Sequence, residues 1–161
     1  MTNQFSVKPF QAGKDSPDEI AATHLKIRQW EERVGQADFS GRILSSQKDL
    51  KSLNRYYVAA GGNFFIAKDT EGRLIGFVGL KNNGDGHGAF KRLAVVPEWQ
   101  RKGVGKALVS VAIDWARAAG FTKLSLQTHS REYAKSLYEQ FGFKVVGWVD
   151  ELEDWLMERR L

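Results

Sequence analysis

The run Gln100-Arg101-Lys102-Gly103-Val104-Gly105 is the part of this sequence best equipped for chemistry. Glycines at the first turn of a helix leave backbone N–H groups unencumbered, and the helix dipole brings positive potential to the same point. The chemistry on offer is anion binding, to which Arg101, Lys102 and Lys106 add charge-assisted contacts. Two common phosphate loops do not fit. A dinucleotide fingerprint needs a third glycine at 108, where Leu108 stands, and a Walker loop needs Gly at 100 and Ser or Thr after Gly105-Lys106, where Gln100 and Ala107 stand. Taken alone, the loop also remains compatible with a glycine-rich turn that has a solvated basic edge.

The elements that must position this loop follow from periodicity. Upstream, Ala89 to Val96 reads as a strand closed by Pro97. Downstream, Val104, Ala107, Leu108, Val111, Ala112 and Trp115 recur at helical spacing until Gly120. Asn63 to Ala67 and Arg73 to Leu80 are β-rich, with Asp69-Thr70-Glu71-Gly72 as a hairpin turn, and Asn82 to Gly88 is a second turn. Near the N-terminus, Phe5 to Phe10 reads as a short strand. Ser16-Pro17-Asp18-Glu19 opens a helix carrying Ile20, Ala21, His24, Ile27, Trp30 and Val34 on one face and ending near Gly35. A loop with Phe39 and Gly41 leads to a second helix from about Gln47, striped by Leu50, Leu53 and Tyr57 and stopped by Gly61-Gly62. Lys123 to Thr128 is a strand, and Ser130 caps a helix with Ala134, Leu137, Tyr138 and Phe141. Phe143 to Val149 and Asp154 to Arg160 are the last strands. The predicted order β, α, α, β, β, β, α, β, α, β, β defines an α/β fold.

The 161 residues, 42% hydrophobic and 12% aromatic, suffice for one core, and no repeat or biased tract interrupts them. With no cysteine, disulfides, thiolate metal sites and a cysteine nucleophile are all excluded. No signal series opens the chain and no apolar run approaches the ~20 residues of a membrane span, so a soluble, cytoplasmic protein without membrane contact is the expectation. The formal charge of +5 is scattered among acidic residues, which argues against nucleic acid as a partner.

The stretch Arg92-Leu93-Ala94-Val95-Val96-Pro97 followed by Gln100 to Gly105 resembles the central signature of the GCN5-related N-acetyltransferases, the GNAT family. That signature is a strand, a proline, and Gln/Arg-x-x-Gly-x-Gly/Ala opening a helix. Ala134 to Phe143, with its Gly142-Phe143 ending, resembles the family's late helix. Gly61 to Ala67, Gly72 to Leu80 and the Met157 ending extend the likeness over nearly the whole chain. The resemblance implies a single domain over residues 1–161. Its centre would be a mixed, mostly antiparallel twisted sheet of about seven strands flanked by about four helices, with a wedge where the fourth and fifth strands splay.

It further implies acetyl-CoA as co-substrate and no metal. Gln100 opens the loop, and the amides of Arg101, Lys102, Gly103, Val104, Gly105 and Lys106 correspond to those that hold the CoA pyrophosphate. Leu93, Ala94 and Val95 correspond to the strand that pairs with the pantetheine arm, which fills the wedge like a false strand. Tyr138 matches the tyrosine that protonates the departing thiolate. Attack of an amine on a thioester builds negative charge on the carbonyl oxygen, for which a backbone N–H of Ala94 or Val95 is a fitting donor. A phenol of reference pKa ~10 is a competent acid towards a thiolate.

The amine must also arrive neutral. Many relatives place a Glu where this chain has Phe90, so the base is open: His129 at the end of its strand, directly or through water, or a water chain with no single base. Glu98, Glu132 and His24 are weaker candidates, and His87 is expected in a solvated turn. Arg131 stands where many relatives carry an Asn that contacts pantetheine. The acceptor implied is a small-molecule amine, with a protein or peptide amine as the other option, and Trp30, Phe39, Tyr56, Tyr57, Phe90 and Trp148 are candidate pocket walls or plain core. Asp150, Glu151, Glu153 and Asp154 form either a cation-attracting mouth or a solvated turn. A homodimer through the terminal strands is compatible with the resemblance, and a CoA-binding regulatory module without turnover is the alternative function.

Overall fold

The computed structural model describes residues 4–35, 47–129 and 134–161. Phe39, Gly41, Ser130, Arg131 and Glu132 lie outside the described residues. The strands are β1 (Phe5–Pro9), β2 (Asn63–Asp69), β3 (Leu74–Asn82), β4 (His87–Val95), β5 (Lys123–His129), β6 (Lys144–Val149) and β7 (Asp154–Arg160). The described helices are α1 (Pro17–Arg33), α2 (Lys48–Lys51), α3 (Val104–Ala118) and α4 (Ala134–Gln140). The strands form one sheet in the order β1-β2-β3-β4-β5-β7-β6, in which β4 and β5 are parallel and every other pair is antiparallel.

Helices cover both faces of the sheet. On one, Phe65, Val78, Leu80, Phe90, Leu124, Leu126 and Met157 pack with Leu108 and Ala112 of α3 and Tyr138 of α4. On the other, Phe64, Ile66, Phe77 and Ala94 pack with Ile20 and Ile27 of α1 and with Leu50, Leu53 and Tyr57. Burial of such side chains stabilises the fold by about 1.5–3 kcal/mol each relative to exposure. Gly79 has no side chain because none fits: a Cβ there would lie 2.7 Å from the Tyr57 ring and 3.0 Å from that of Phe64.

Helix α1 starts as its sequence predicts, with the Ser16 hydroxyl accepting from the Glu19 N–H at 3.1 Å and Pro17 in the first turn. Its end differs. Val34, expected on the buried stripe, is the C-cap and half exposed, while Arg28 and Glu31 are buried in its place. The second predicted helix is regular only over Lys48–Lys51 and then winds as a wider π-type turn over Asn54–Val58, which still buries Leu50, Leu53 and Tyr57.

Strand β4 carries a bulge. Lys91 pairs with Gly79 and Ala94 with Phe77, so Arg92 and Leu93 together face the single residue Val78. Arg92 adopts a left-handed φ of 64°, a conformation that costs a non-glycine residue about 1–2 kcal/mol. A side-chain clamp offsets this cost. Arg92 donates through Nε and Nη2 to the two carboxylate oxygens of buried Asp49 at 3.0 and 2.8 Å, and the Tyr57 hydroxyl donates to Asp49 Oδ2 at 2.7 Å. Burial alone would raise the Asp49 carboxyl pKa, but the bonds from Arg92 and Tyr57 and the Arg92 charge outweigh it and hold the value below that of an ordinary carboxylate.

A carboxyl with a depressed folded-state pKa contributes stability above its unfolded value of ~3.9 and loses it as pH falls through the folded value. Asp49→Ala is therefore expected to lower stability at pH 7 by about 2 kcal/mol or more, because it leaves Arg92 and Tyr57 without their shared partner. Urea denaturation at pH 7 and below pH ~4 checks this, since the gap between wild type and variant should narrow in acid.

Candidate active site

Strands β4 and β5 are in register only at His87↔Lys123, Gly88↔Leu124 and Ala89↔Ser125. Beyond these pairs they separate, and the bulge at Arg92 bends β4 away. The Val96 N–H donates to the Ile75 carbonyl of the β3 edge at 2.9 Å. Because backbone groups alternate along a strand, Ala94 then faces β3 and Val95 faces the opening. Of the two amides expected to meet an acyl oxygen, that of Ala94 is thus turned to the β3 ladder, and that of Val95 is turned to the wedge. Leu93 lies in the bulge, outside the β3 register.

Side chains occupy the wedge-side carbonyls. Arg28 Nη2 donates to the Leu93 carbonyl at 2.9 Å, and Gln100 Nε2 donates to the Val95 carbonyl at 3.1 Å. What this stretch of β4 offers a ligand is chiefly its N–H groups, which suit carbonyl oxygens. Two adjoining cavities follow the opening. One of about 570 Å³ is lined by residues of β4, β5 and β7, including Phe90, Thr128, His129, Tyr138 and Asp154. The other, of about 320 Å³, runs past Leu93, Ala94 and Val95 to Gln100, Arg101, Gly105, Lys106 and Leu137. Arg28, Leu93 and Ala134 line both.

The second cavity ends on the glycine loop. Gly103 caps α3 with a φ of 86° and Arg101, two residues before it, has a φ of 60°, so among the described residues no side-chain cap covers the N-terminus of α3. Space above Gly103 is open, whereas a Cβ on Gly105 would meet Leu137 at 3.3 Å. The Val104 side chain is buried in the core, leaving only its amide to the loop. Lys102 lies over the Trp99 ring at 5.3 Å. Bare amides, a positive helix end and basic side chains at the mouth of a strand-shaped slot fit a long ligand with an anionic end and amide groups along its arm.

Tyr138 is buried and lines the larger cavity, its ring stacked on Phe90 at 6.3 Å and packed edge-on against Phe143 at 5.6 Å. Phe90 is thereby a wall of the wedge. His129 is buried opposite Asp154, its register partner in β7, and both line the larger cavity. The acidic cluster divides, because Asp150, Glu151 and Glu153 are exposed in the turn and Asp154 is buried. Glu98 is exposed. His87, expected in a solvated turn, is half-buried at the start of β4, 3.1 Å from the Ser125 hydroxyl. Among the expected acceptor walls, Tyr57 is core, Trp30 is half-buried, Tyr56 packs under Lys81, and Trp148 is exposed.

Arg28 and Glu31 went unnoticed in the sequence, although both fall at helical spacing on the stripe of His24 and Ile27. Arg28 donates to Glu31 at 2.7 Å and to His24 Nε2 at 3.3 Å, besides the Leu93 carbonyl. The other ring nitrogen of His24 faces Gln47 Nε2 at 3.1 Å. Burial, with the charges of Arg28 and Arg92, pushes the His24 pKa down to about 2. An imidazole held neutral this firmly does not take a proton from an ammonium at neutral pH.

These features define an acyltransferase-type fold, a sheet split after its fourth strand with a glycine cradle at the helix beyond. A family model described as the acetyltransferase (GNAT) family matches residues 25–143, and the chain belongs to that family. It is 33% identical over 107 residues to N-acetyltransferase family 8 member 2 of Rattus norvegicus, an alignment covering 63% of this chain and 47% of that protein. The chain thus spans about half the length of that curated relative. Its fold is similar to that of a GNAT-family acetyltransferase from Staphylococcus aureus Mu50, with a TM-score of 0.81 at 20% identity over 98% of this chain and 99% of that one. The Vibrio cholerae spermidine N-acetyltransferase in complex with CoA and spermine gives a TM-score of 0.72 at 21% identity, covering 98% and 95%.

A histidine whose folded-state pKa lies below its unfolded value of ~6.5 weakens the fold as pH falls below that value, because the unfolded chain takes up the proton first. The His24 ring resonances should therefore show no titration between pH 5 and pH 8 by NMR. A midpoint within that window would contradict the packing described for α1.

Proposed function

We propose that this protein transfers the acetyl group of acetyl-CoA to the primary amine of a small molecule, by direct attack of the amine on the thioester. The observation that carries the reading is the release of β4 from β5 after Ala89, immediately upstream of the bare N-terminus of α3. In this reading residues 101–106 hold the pyrophosphate and Gln100, Leu93 and Val95 border the pantetheine arm. Acetyl-CoA supplies the activated acetyl group. Its placement here rests on family membership and on the fit of slot and cradle, and a protein of similar fold, the spermidine N-acetyltransferase of Vibrio cholerae, has a structure in complex with CoA and spermine.

The chain's own residues supply the rest. The Val95 N–H, held in the strand, donates to a carbonyl oxygen in the wedge as negative charge develops on it, and a preorganised donor of this kind is worth about 3 kcal/mol in barrier height. Tyr138, held by Phe90 and Phe143, delivers its hydroxyl proton to the departing sulfur. His129 receives the acceptor's proton, directly or through one water. No helix among the described residues is long and apolar enough to cross a membrane, and we place the reaction in the cytoplasm. A small amine suits a cavity of about 570 Å³ better than a folded protein surface does, although an extended peptide amine fits the same mouth.

The direct experiment is thiol release from acetyl-CoA across amino acids, polyamines, aminoglycosides and peptides. Release with one class is expected, and stabilisation by acetyl-CoA without release from any amine would favour a regulatory module. Tyr138→Phe should lower kcat at least about ten-fold while leaving acetyl-CoA affinity near wild type, in line with positioned acid catalysis. An unchanged kcat would remove the acid role. Gly103→Glu, which places a carboxylate and a strained φ in the cradle, should abolish the acetyl-CoA-dependent rise in melting temperature.

A further inference from the structure

His129 and Asp154 are each only 3% exposed, and both line the larger cavity. The strand register brings them together. Leu124 and Leu126 of β5 and Met157 of β7 pack in the core with α3, and side chains alternate along a strand, so His129 and Asp154 both project from the other face of the sheet. They stand opposite one another in the antiparallel β5–β7 ladder, where directly paired Cβ atoms lie about 4.5–5.5 Å apart. At that spacing an imidazole nitrogen and a carboxylate oxygen are within reach of a direct hydrogen bond.

A buried carboxylate is unfavourable unless hydrogen bonds and a cation compensate for its lost hydration. Among the described residues, the acidic side chains lining the larger cavity are Asp154 and Glu158. Glu158 lies four residues further along β7, about 13 Å from Asp154, and it stands opposite Ser125 and 3.5 Å from the ammonium of Lys123. Of the guanidinium groups lining the same cavity, Arg28 is bonded to Glu31 and Arg92 to Asp49. The remaining titratable lining is His24, which contacts Arg28 and Gln47, with Lys91 on β4 and Tyr138 on α4. Asp154 is thus the acidic group placed to serve His129.

We propose that Asp154 is the positioning residue of His129. Its carboxylate takes the N–H of one ring nitrogen and so turns the lone pair of the other towards the cavity, where the acceptor's nitrogen arrives. This rests on the reading of His129 as proton acceptor given above. A neutral imidazole carries one N–H and one lone pair, and a ring with no fixed partner presents the wrong nitrogen part of the time. As the nitrogen–carbon bond forms and the carbon–sulfur bond breaks, one proton passes from the acceptor's nitrogen to the ring. Asp154 stays ionised throughout and holds the imidazolium by charge, as the carboxylate of a hydrolase triad does.

The test combines kinetics with nitrogen-15 NMR of protein labelled at histidine. In the wild type the His129 ring should populate a single tautomer, and a ring that samples both would overturn the pairing without recourse to any variant. Asp154→Asn, whose amide can turn either oxygen or NH2 to the ring, should mix or reverse that tautomer. It should also lower kcat about ten-fold or more. The KM for the amine and the affinity for acetyl-CoA should stay within about two-fold of wild type. His129→Gln should lower kcat at least as far, and the double variant should lie within about two-fold of His129→Gln alone, because the two residues act as one unit. Losses that multiply in the double variant would overturn the proposal. A raised KM for the amine at unchanged kcat would do so as well, by assigning Asp154 to the acceptor's ammonium instead. Wild-type kcat in His129→Gln would refute the proton-acceptor reading itself.

Discussion

A parallel strand pair that holds for three register positions and then opens leaves two strand edges whose backbone groups no longer satisfy each other. Unpaired groups inside a protein cost about as much as lost hydrogen bonds, so the opening persists only because other parts of the chain compensate for it. On β4 that compensation comes from Arg28 and Gln100, each donating to one exposed carbonyl. On β5 the antiparallel partner β7 holds the other edge along the full strand, from Lys123↔Arg160 to His129↔Asp154.

The same economy explains the charges around the opening. Arg28 ties α1 to β4 while neutralising Glu31, and Arg92 ties the bulge to α2 through Asp49. Burial, with the added charges of Arg28 and the half-buried Arg92, keeps the imidazole of His24 uncharged. Tyr138 and Phe90 stack to complete the end wall with aromatic surface.

Periodicity and turn residues made most of this fold legible. The glycines at 103, 105 and 120, the proline at 97 and the cap at Ser16 mark changes of period, and the strands and helices fall between them. The family resemblance then located the wedge. What remained hidden had physical causes. Arg28 and Glu31 look like surface residues because their burial depends on a carbonyl sixty-five positions away. Asp154 reads as one more acid of the last turn, since only the β5–β7 register sets it opposite His129. The short regular run of α2 was hidden too, because a widened turn keeps the same apolar stripe. The register that turns Ala94 to β3 and Val95 outward depends on pairing that no local pattern encodes.

The bulge at Arg92 also changes the parity of β4. Counting in twos from Phe90, Ala94 would join the core beneath α3 and Leu93 and Val95 would join that beneath α1. The structure has the reverse, with Leu93 and Val95 packed on the α3 side and Ala94 on the α1 side. One residue thus acts as a phase shift between two halves of a single strand. The half that closes the sheet and the half that opens it are each in step with a different partner, and deletion of that one residue would turn the wedge inside out while leaving the composition of its lining almost untouched.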